Sequence, residues 1–400
     1  MKQSLPLSGV RICDLTQVMF GPCGTQVLGD FGADIIKIER PGVGDLSRTY
    51  DPFQKVDGGE SAYFMAMNRN KRSLAVDITR PEGLAVVRKI VETVDVFVHN
   101  FRPGVVERIG LDYETLRLAH PGLIYAEGSG FGGGGPLVHK GGQDFLAQAL
   151  SGLAERNRDA SDMPQLYPTA VGDFAAGMML AQGILLALLQ RGKNGLGQKI
   201  SLNLLDVMLV MQQQEVTQAL LRQKSVNWLT QNPMDVFATC DGHIAVIAVF
   251  KPNPIGDICQ ALEIPDVTSD PRFATLSAQM VNRAVLREKL GEGFAKFSTK
   301  ESLQRLESED ILCSPVLSLK DALSHPQVEY NGIVVEFEHP VHGRMRTVGN
   351  ALKLSQVEMI SLQPPPTLGQ HNDAVLSEAG YDAAAIASFK ADGIVQADDK

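Results

Sequence analysis

The chain has 400 residues, 44% hydrophobic and 21% charged, with 37 Lys and Arg against 46 Asp and Glu and a formal net charge of -9. That apolar content excludes a mainly disordered chain, the acidic balance argues against a nucleic-acid partner, and about 150 residues per domain gives two or three domains. No apolar run reaches the ~20 residues of a membrane helix, and the first residues lead straight into a strand-like segment, so neither a membrane span nor a signal peptide is expected.

In chain order, Val10–Leu15 reads as a buried strand, Gly21–Thr25 opens a helix that runs to Phe31, and Ile35–Glu39 is the next strand. That is one βαβ unit. The pattern continues with a strand at Ser73–Asp77, a helix from Pro81 to Val94, and a strand at Val96–His99. A short helix at Gly104–Ile109 and a strand at Leu123–Glu127 follow. Further on come a strong helix at Phe174–Arg191, a strand at Gln198–Asn203 and a long helix at Leu204–Leu221. Such alternation predicts an α/β fold with a doubly wound parallel sheet. Past Trp228 the character changes. Residues 235–246 predict an antiparallel hairpin turning at Asp241-Gly242, with helices near 256–262, 283–296 and 300–308. Strands at 334–337 and 345–348 and a last helix near 374–379 close the chain. The expected division is a large domain over 1–205, a linker helix over 206–227, a small α+β domain over 228–325 and a return segment over 326–400.

Cys13, Cys23, Cys240, Cys259 and Cys313 are scattered and form no CxxC pair. They read as buried small hydrophobes in a reducing, cytoplasmic compartment, not as a disulfide frame or a zinc site. The histidines show no metal spacing, and no GxSxG elbow accompanies them. Residues 1–110 hold 14 basic and 13 acidic side chains, and the remainder holds 23 and 33. The first third therefore carries cations against an acidic background, which is where an anion site is expected.

Gly128-Ser129-Gly130-Phe131-Gly132-Gly133 matches GxGxxG after a strand, but Gly134-Gly135-Pro136 follows and no helix starts there. A mobile loop bordering a site fits better than a phosphate cradle. Arg40 and Arg102 follow strand ends, where a parallel sheet forms its ligand crevice. Lys71, Arg72 and Arg108 complete the cation set. Each has a plain reading as a solvated charge; as a group they suit a phosphate-rich ligand. Asp173 sits at the mouth of an apolar helix. It is either an ordinary N-cap or an ionised, oriented carboxylate able to act as nucleophile or base. Gly172, Ala175, Ala176 and Gly177 leave room beside it for a ligand or another chain.

Several segments together resemble the class III CoA-transferase family, the group of formyl-CoA transferase, carnitine CoA-transferase and α-methylacyl-CoA racemase. They are Asp14-Leu15-Thr16 with Gly21-Pro22, Gly32 to Asp45, Asn70 to Leu74 and Asn100-Phe101-Arg102-Pro103-Gly104. Gly130-Phe131-Gly132, Val171-Gly172-Asp173, Gly195 with Gly197-Gln198, and Leu368-Gly369-Gln370-His371-Asn372 follow in order. The resemblance implies a large Rossmann-like domain whose parallel sheet comes from both chain ends, a smaller inserted α+β domain, and two ring-like chains interlocked as a homodimer. It implies that Asp173 attacks an acyl-CoA thioester, giving a mixed anhydride and then an aspartyl-CoA thioester, before a free carboxylic acid takes the CoA. CoA enters as a substrate, and no tightly bound cofactor or metal is expected. By the same resemblance Arg40, Arg102 and Arg108 bind CoA phosphates, with Arg72 of the cation set beside them. Asn100 and Phe101, with the strand end from Val76 to Thr79, line the adenosine pocket.

Two positions depart from the family branches. Racemase members carry a histidine before the aspartate of the segment matching Gly142-Gln143-Asp144, where this chain has Gln143. The oxalate-handling branch carries glutamine where this chain has Met19. The resulting assignment is Asp173 as nucleophile and Gln143 as hydrogen-bond donor to the acyl oxygen. Gln17, Met19, Gly132 and Gly133 face the acyl group, with Gly132–Gly135 as a covering loop. A racemase exchanging an α-proton and a non-catalytic CoA-binding protein are the alternatives.

Overall fold

The structure is a computed structural model and describes residues 5–50, 61–158, 161–223, 234–357 and 362–397. The chain forms two compact units, Met1–Gln212 with Gly332–Lys400, and Gln213–Asn331. The expected boundary at 227 lies outside the described residues.

The first unit begins with β1 (Arg11–Leu15), α1 (Phe20–Asp30), β2 (Asp34–Glu39), α2 (Leu46–Thr49), α3 (Ala62–Met67) and β3 (Lys71–Ala75). It continues with α4 (Pro81–Val91), β4 (Val96–His99), α5 (Val105–Ile109), α6 (Tyr113–Ala119), β5 (Ile124–Ser129) and α7 (Asp144–Leu150). Then come α8 (Leu153–Arg156), α9 (Val171–Asn194), β6 (Lys199–Asn203) and α10 (Leu204–Met211). β1, β4 and β5 are short, largely apolar runs, as expected of strands covered on both faces, while β2, β3 and β6 also carry Lys37, Lys71, Arg72 and Lys199. They pair in parallel in the order β3-β2-β1-β4-β5-β6.

The two-residue period of a strand sorts side chains between two cores. Cys13, Leu15, Ile36, Leu74, Phe97 and Tyr125 face one core, with Val86, Val87 and Ile90 of α4 and with Val375, Leu376 and Ile386 from the return segment. Ile12, Ile35, Val96, Val98, Ile124 and Ala126 face the other, with Leu28 of α1, Leu180 and Ile184 of α9, and Met208 of α10. Each fully buried aliphatic side chain contributes about 1.5–3 kcal/mol against about 0–1 for a surface ion pair. The two cores therefore dominate the stability of this unit.

Three expectations are corrected. All six strands lie within residues 11–203, so the sheet is not assembled from both chain ends. The return segment adds an isolated bridge between Val76 and Val395 and helices at Asn372–Glu378 and Ala383–Ala391. Its own strands, Val334–His339 and Gly343–Val348, pair only with each other. They alternate apolar residues with Glu336, Glu338, Arg344 and Arg346, and such a strand cannot be covered on both faces. Second, Leu204–Leu221 is not one helix. It breaks at Gln212 between α10 and a helix at Gln213–Arg222. The buried Gln212 amide donates to the carbonyls of Met208 and Ser151 at 3.1 and 3.3 Å, which anchors the break. Third, α9 is long and apolar enough to cross a membrane by length and composition alone. Its inner face packs on the sheet, while Leu185, Leu186 and Leu189 stand exposed.

In the second unit, Met234–Ala238 and His243–Ile247 form the expected hairpin. Thr239 N–H donates to the Gly242 carbonyl at 2.9 Å across its turn. Leu312–Pro315 adds a third antiparallel strand. Phe237 and Phe294 stack at 4.5 Å between centroids at the centre of this core.

Candidate active site

Strand order reverses between β1 and β4, and ligands of doubly wound sheets bind at the carboxyl edge of such a switch point. The loops after β1 and β4 are stitched together there. Asn100 Oδ1 accepts the Gln17 N–H at 2.9 Å, and Asn100 Nδ2 donates to the Gln17 carbonyl at 2.8 Å. Asn100 thus holds the crevice shut at its base through both ends of its amide.

The carboxyl edge gathers most of the sequence-derived residues. A small cleft of about 50 Å³ is lined by Asn100, Phe101, Arg102, Gly130, Phe131, Gly132 and Lys140. A larger one of about 320 Å³ adjoins it, with Phe101, Gly132 and Gly133 shared or nearby and His99, Glu127 and Lys199 behind them. Phe101 stacks on His99 at 5.9 Å, and its N–H donates to His99 Nδ1 at 3.3 Å. His99 Nε2 bonds the Tyr125 hydroxyl at 2.8 Å. Burial, aided by Lys199, pushes His99 down to about 3, so the ring is neutral. Arg40, Arg102 and Arg108 form no ion pair among the described residues. Arg40 and Arg102 are exposed. Gly141 lies against Arg102, where a Cβ would come within 2.7 Å of its Nη2. Gly130 and Gly142 touch so closely that a Cβ on either would lie 2.4 or 2.3 Å from the other's Cα. The glycines after β5 therefore serve loop-on-loop packing, while Gly132, at φ 102, donates its N–H to Ser129 Oγ at 3.0 Å.

Two expected CoA residues are placed differently. Arg72 leads β3 rather than trailing it, so it stands at the amino edge. There Arg72 pairs with Asp34 at 2.6 Å and Glu378 at 2.7 Å. Val76 is buried at 1% exposure in the core, so only its backbone borders the strand end. Thr79 is exposed and donates its hydroxyl to Asp77 at 2.6 Å.

Asp173 is the third residue of α9, not its N-cap; that position is Ala170, which has no capping side chain. The capping group comes from α7. Asp144 Oδ2 accepts the N–H groups of Gly172 at 2.7 Å and Asp173 at 2.8 Å, and its Oδ1 accepts from Gln148 at 2.6 Å. A side chain on Gly172 would collide with Met208, at 2.0 Å from its Cε, and would lie 3.0 Å from Asp144 Oδ2. Glycine is what lets this carboxylate reach the helix end. Asp173 is half-buried, and no donor reaches its carboxyl oxygens among the described residues. Burial, with the Asp144 charge added, pushes it up to about 7. The expectation of a firmly ionised carboxylate is corrected accordingly: the helix end that would favour the anion is already occupied. Gln143, one residue before Asp144, is exposed at the start of α7.

The room expected beside Gly177 is filled by α1. A Cβ on Gly24 would lie 2.5 Å from the Gly177 carbonyl oxygen, and one on Gly177 would lie 2.7 Å from the Phe20 carbonyl oxygen. This crossing brings the start of α1, and the Gln17–Met19 loop before it, beside the first turns of α9. Gln17 and Met19 are both half-buried there.

The capping role of Asp144 has no local signal, because the N–H groups it caps lie 28 and 29 residues away. Lys37 and Lys71, charges inside strands, were the visible sign of a buried ionic network. Lys37 Nζ lies 2.8 Å from Asp45, and Lys71 Nζ lies 3.2 Å from Asp14, all fully buried side chains. Burial draws Lys71 down to about 8 despite Asp14.

Comparisons with known proteins match the chain to CoA-transferase family III over residues 7–372. It is 37% identical to mouse succinyl-CoA:glutarate CoA-transferase over 397 residues, covering 98% of this chain and 90% of that protein. It is 32% identical to formyl-CoA:oxalate CoA-transferase of Escherichia coli O157:H7, over 97% of this chain and 99% of that one. A CAIB/BAIF family protein from Brucella suis superposes with a TM-score of 0.84 at 30% identity, covering 94% of this chain and 100% of that one. The chain belongs to CoA-transferase family III and is a CoA-transferase.

Proposed function

We propose that the enzyme moves CoA from an acyl-CoA thioester to a free carboxylic acid, with Asp173 as the nucleophile. The observation that carries this is a half-buried carboxyl in the first turn of α9 that neither cation nor donor neutralises among the described residues. A carboxylate left without partners is a stronger nucleophile than one held in an ion pair. In the proposed cycle Asp173 attacks the thioester carbonyl, the C–S bond breaks, and CoA leaves as thiolate. The thiolate attacks the aspartyl carbonyl of the mixed anhydride and expels the donor's carboxylate, leaving an aspartyl-CoA thioester. The acceptor carboxylate attacks that carbonyl and again releases thiolate. The thiolate then attacks the acceptor's acyl carbon, frees Asp173 and leaves the new acyl-CoA.

Arg40, Arg102 and Arg108 suit the CoA phosphates because none of them is held in an ion pair among the described residues. The substrates of the relatives named above, glutarate and oxalate, are short dicarboxylic acids, so that class is the first to try as acceptor. Gln143 carries no titrating proton, so α-proton exchange would lack a second base at that position. The exposed Leu185, Leu186 and Leu189 of α9 and Leu209, Val210 and Met211 of α10 favour a homodimer that covers them.

The test is intact mass after incubation with succinyl-CoA, wild type beside Asp173→Ala. A gain of CoA that hydroxylamine removes, absent from the variant, supports the aspartyl thioester. No gain with a donor that demonstrably binds overturns it.

A further inference from the structure

Six non-glycine residues among the described ones have positive φ, and Val18, at φ 69, is the only β-branched one. A β-branched residue resists this region, since its Cβ substituents crowd the following carbonyl. The Val18 side chain is 46% exposed, so packing does not compensate. Backbone hydrogen bonds do. Val18 N–H donates to Asp45 Oδ1 at 3.0 Å. Asp45 Oδ2 accepts from Lys37 Nζ at 2.8 Å, and the same ammonium donates to the Thr16 carbonyl at 2.8 Å. Lys37 therefore grips the loop on one side of Val18 directly and on the other through Asp45. Ser47 N–H and hydroxyl, each 2.8 Å from Asp45 Oδ1, fix that carboxylate in turn. The loop so held carries Gln17 and Met19 and leads into α1, whose start packs on Gly177 one turn beyond Asp173.

We infer that Lys37 and Asp45 are positioning residues: their buried pair clamps the Gln17–Met19 loop in the left-handed turn that Val18 resists, and so sets the loop against the nucleophile. The inference rests on the reading of Asp173 given above. Backbone outliers held against their preference by surrounding structure cluster at functional sites, and here the holding side chains are themselves fully buried.

The test compares wild type, Val18→Gly, Lys37→Met/Asp45→Ala and the triple combination. Removing both charges avoids leaving one buried alone. Thermal midpoint, and kcat and KM with succinyl-CoA, are read for each. Lys37→Met/Asp45→Ala is expected to lower kcat on the order of 10- to 100-fold, as misplaced catalytic geometry does, with KM nearly unchanged. Adding Val18→Gly is expected to restore most of kcat, because glycine adopts the turn without a clamp, while the thermal midpoint stays low. An unchanged kcat, or a loss that Val18→Gly does not rescue, overturns the inference. If the charge-free pair does not fold, Val18→Gly alone decides. Its midpoint should rise by about 1–3 °C as strain is relieved, and no rise overturns the clamp. If wild type forms no CoA adduct, the nucleophile reading fails separately. The clamp is then judged by whether Val18→Gly raises the midpoint more with Lys37 and Asp45 present than without them; equal gains overturn it.

Discussion

Arg72 and Arg102 flank the same parallel sheet at opposite ends. At the amino edge, Arg72 and Arg11 share Asp34 and Glu378, and Asp95 takes Arg191 at 2.7 Å and the Arg11 N–H at 2.8 Å. Every one of those charges has a partner in the chain. At the carboxyl edge, Arg40, Arg102 and Arg108 form no ion pair among the described residues, and only the Arg40 charge reaches a carboxylate, that of Asp77. The amino edge is closed by its own charges, while the carboxyl edge keeps cations for an anion that arrives from outside. Nearness to a strand is thus a weak sign of a ligand role; what decides is whether a carboxylate of the chain already holds the cation, as Glu39 holds Arg48 after β2.

The largest expected effect lies on the open edge. Asp173→Ala should lower turnover by at least about a thousandfold, as loss of a nucleophile does, measured as initial rate with succinyl-CoA. Turnover within tenfold of wild type would break the contrast, since the crevice would then work without its carboxylate. The direct comparison comes next. Arg102→Ala should raise KM for acyl-CoA about 10- to 100-fold, the equivalent of the ~1.5–3 kcal/mol of a charged hydrogen bond. Arg72→Ala should leave KM unaltered and lower the thermal midpoint instead. If the two variants behave alike in KM, the edges do not differ in the way described.

A pH profile sharpens the role of the open edge. Attack needs the carboxylate, so the rate of adduct formation should rise with pH through a midpoint near 7. Asp144→Asn removes a like charge beside Asp173 and should move that limb to lower pH. A limb that stays put would show that burial alone sets it. The smallest effect is on stability. Asp173 has a folded-state value above its unfolded one, so its stabilising contribution is complete below about pH 4 and is lost as pH rises through about 7. Asp173→Asn has no such loss. Its thermal midpoint, relative to wild type, should climb between pH 4 and pH 8 by calorimetry; a constant difference would contradict the perturbed carboxyl.

The strands of the sheet could be read from the sequence because Val10–Leu15, Ile35–Glu39 and Val96–His99 are short apolar runs bounded by turn residues, and burial on both faces selects for that pattern. The break at Gln212 could not, because its cause is a set of carbonyls, including that of Ser151 just past the end of α7. Leu312–Pro315 was missed because four residues containing a proline give no strand signal. Asp173 stood out at the mouth of an apolar helix, but its reading as N-cap failed: the capping oxygen belongs to Asp144, reached through a tertiary contact. The β1 loop was located by its Gly21-Pro22 signature. Its strained turn was not, since valine gives no hint of positive φ and the groups that enforce it lie on a neighbouring strand and loop.

The occupation of the α9 end by Asp144 has a consequence for how the proposed anhydride divides. A mixed anhydride breaks so as to expel the weaker base. A free carboxylic acid has an ordinary value of about 4, whereas Asp173, denied the helix end and pushed up to about 7, is the stronger base of the two. Returning thiolate that attacks the aspartyl carbonyl therefore has the better leaving group in front of it. Reversal at the donor's acyl carbon must expel the poorer one. By adding its charge to the effect of burial, Asp144 biases each anhydride toward the aspartyl-CoA thioester, the donor's in the first half of the cycle and the acceptor's in the second.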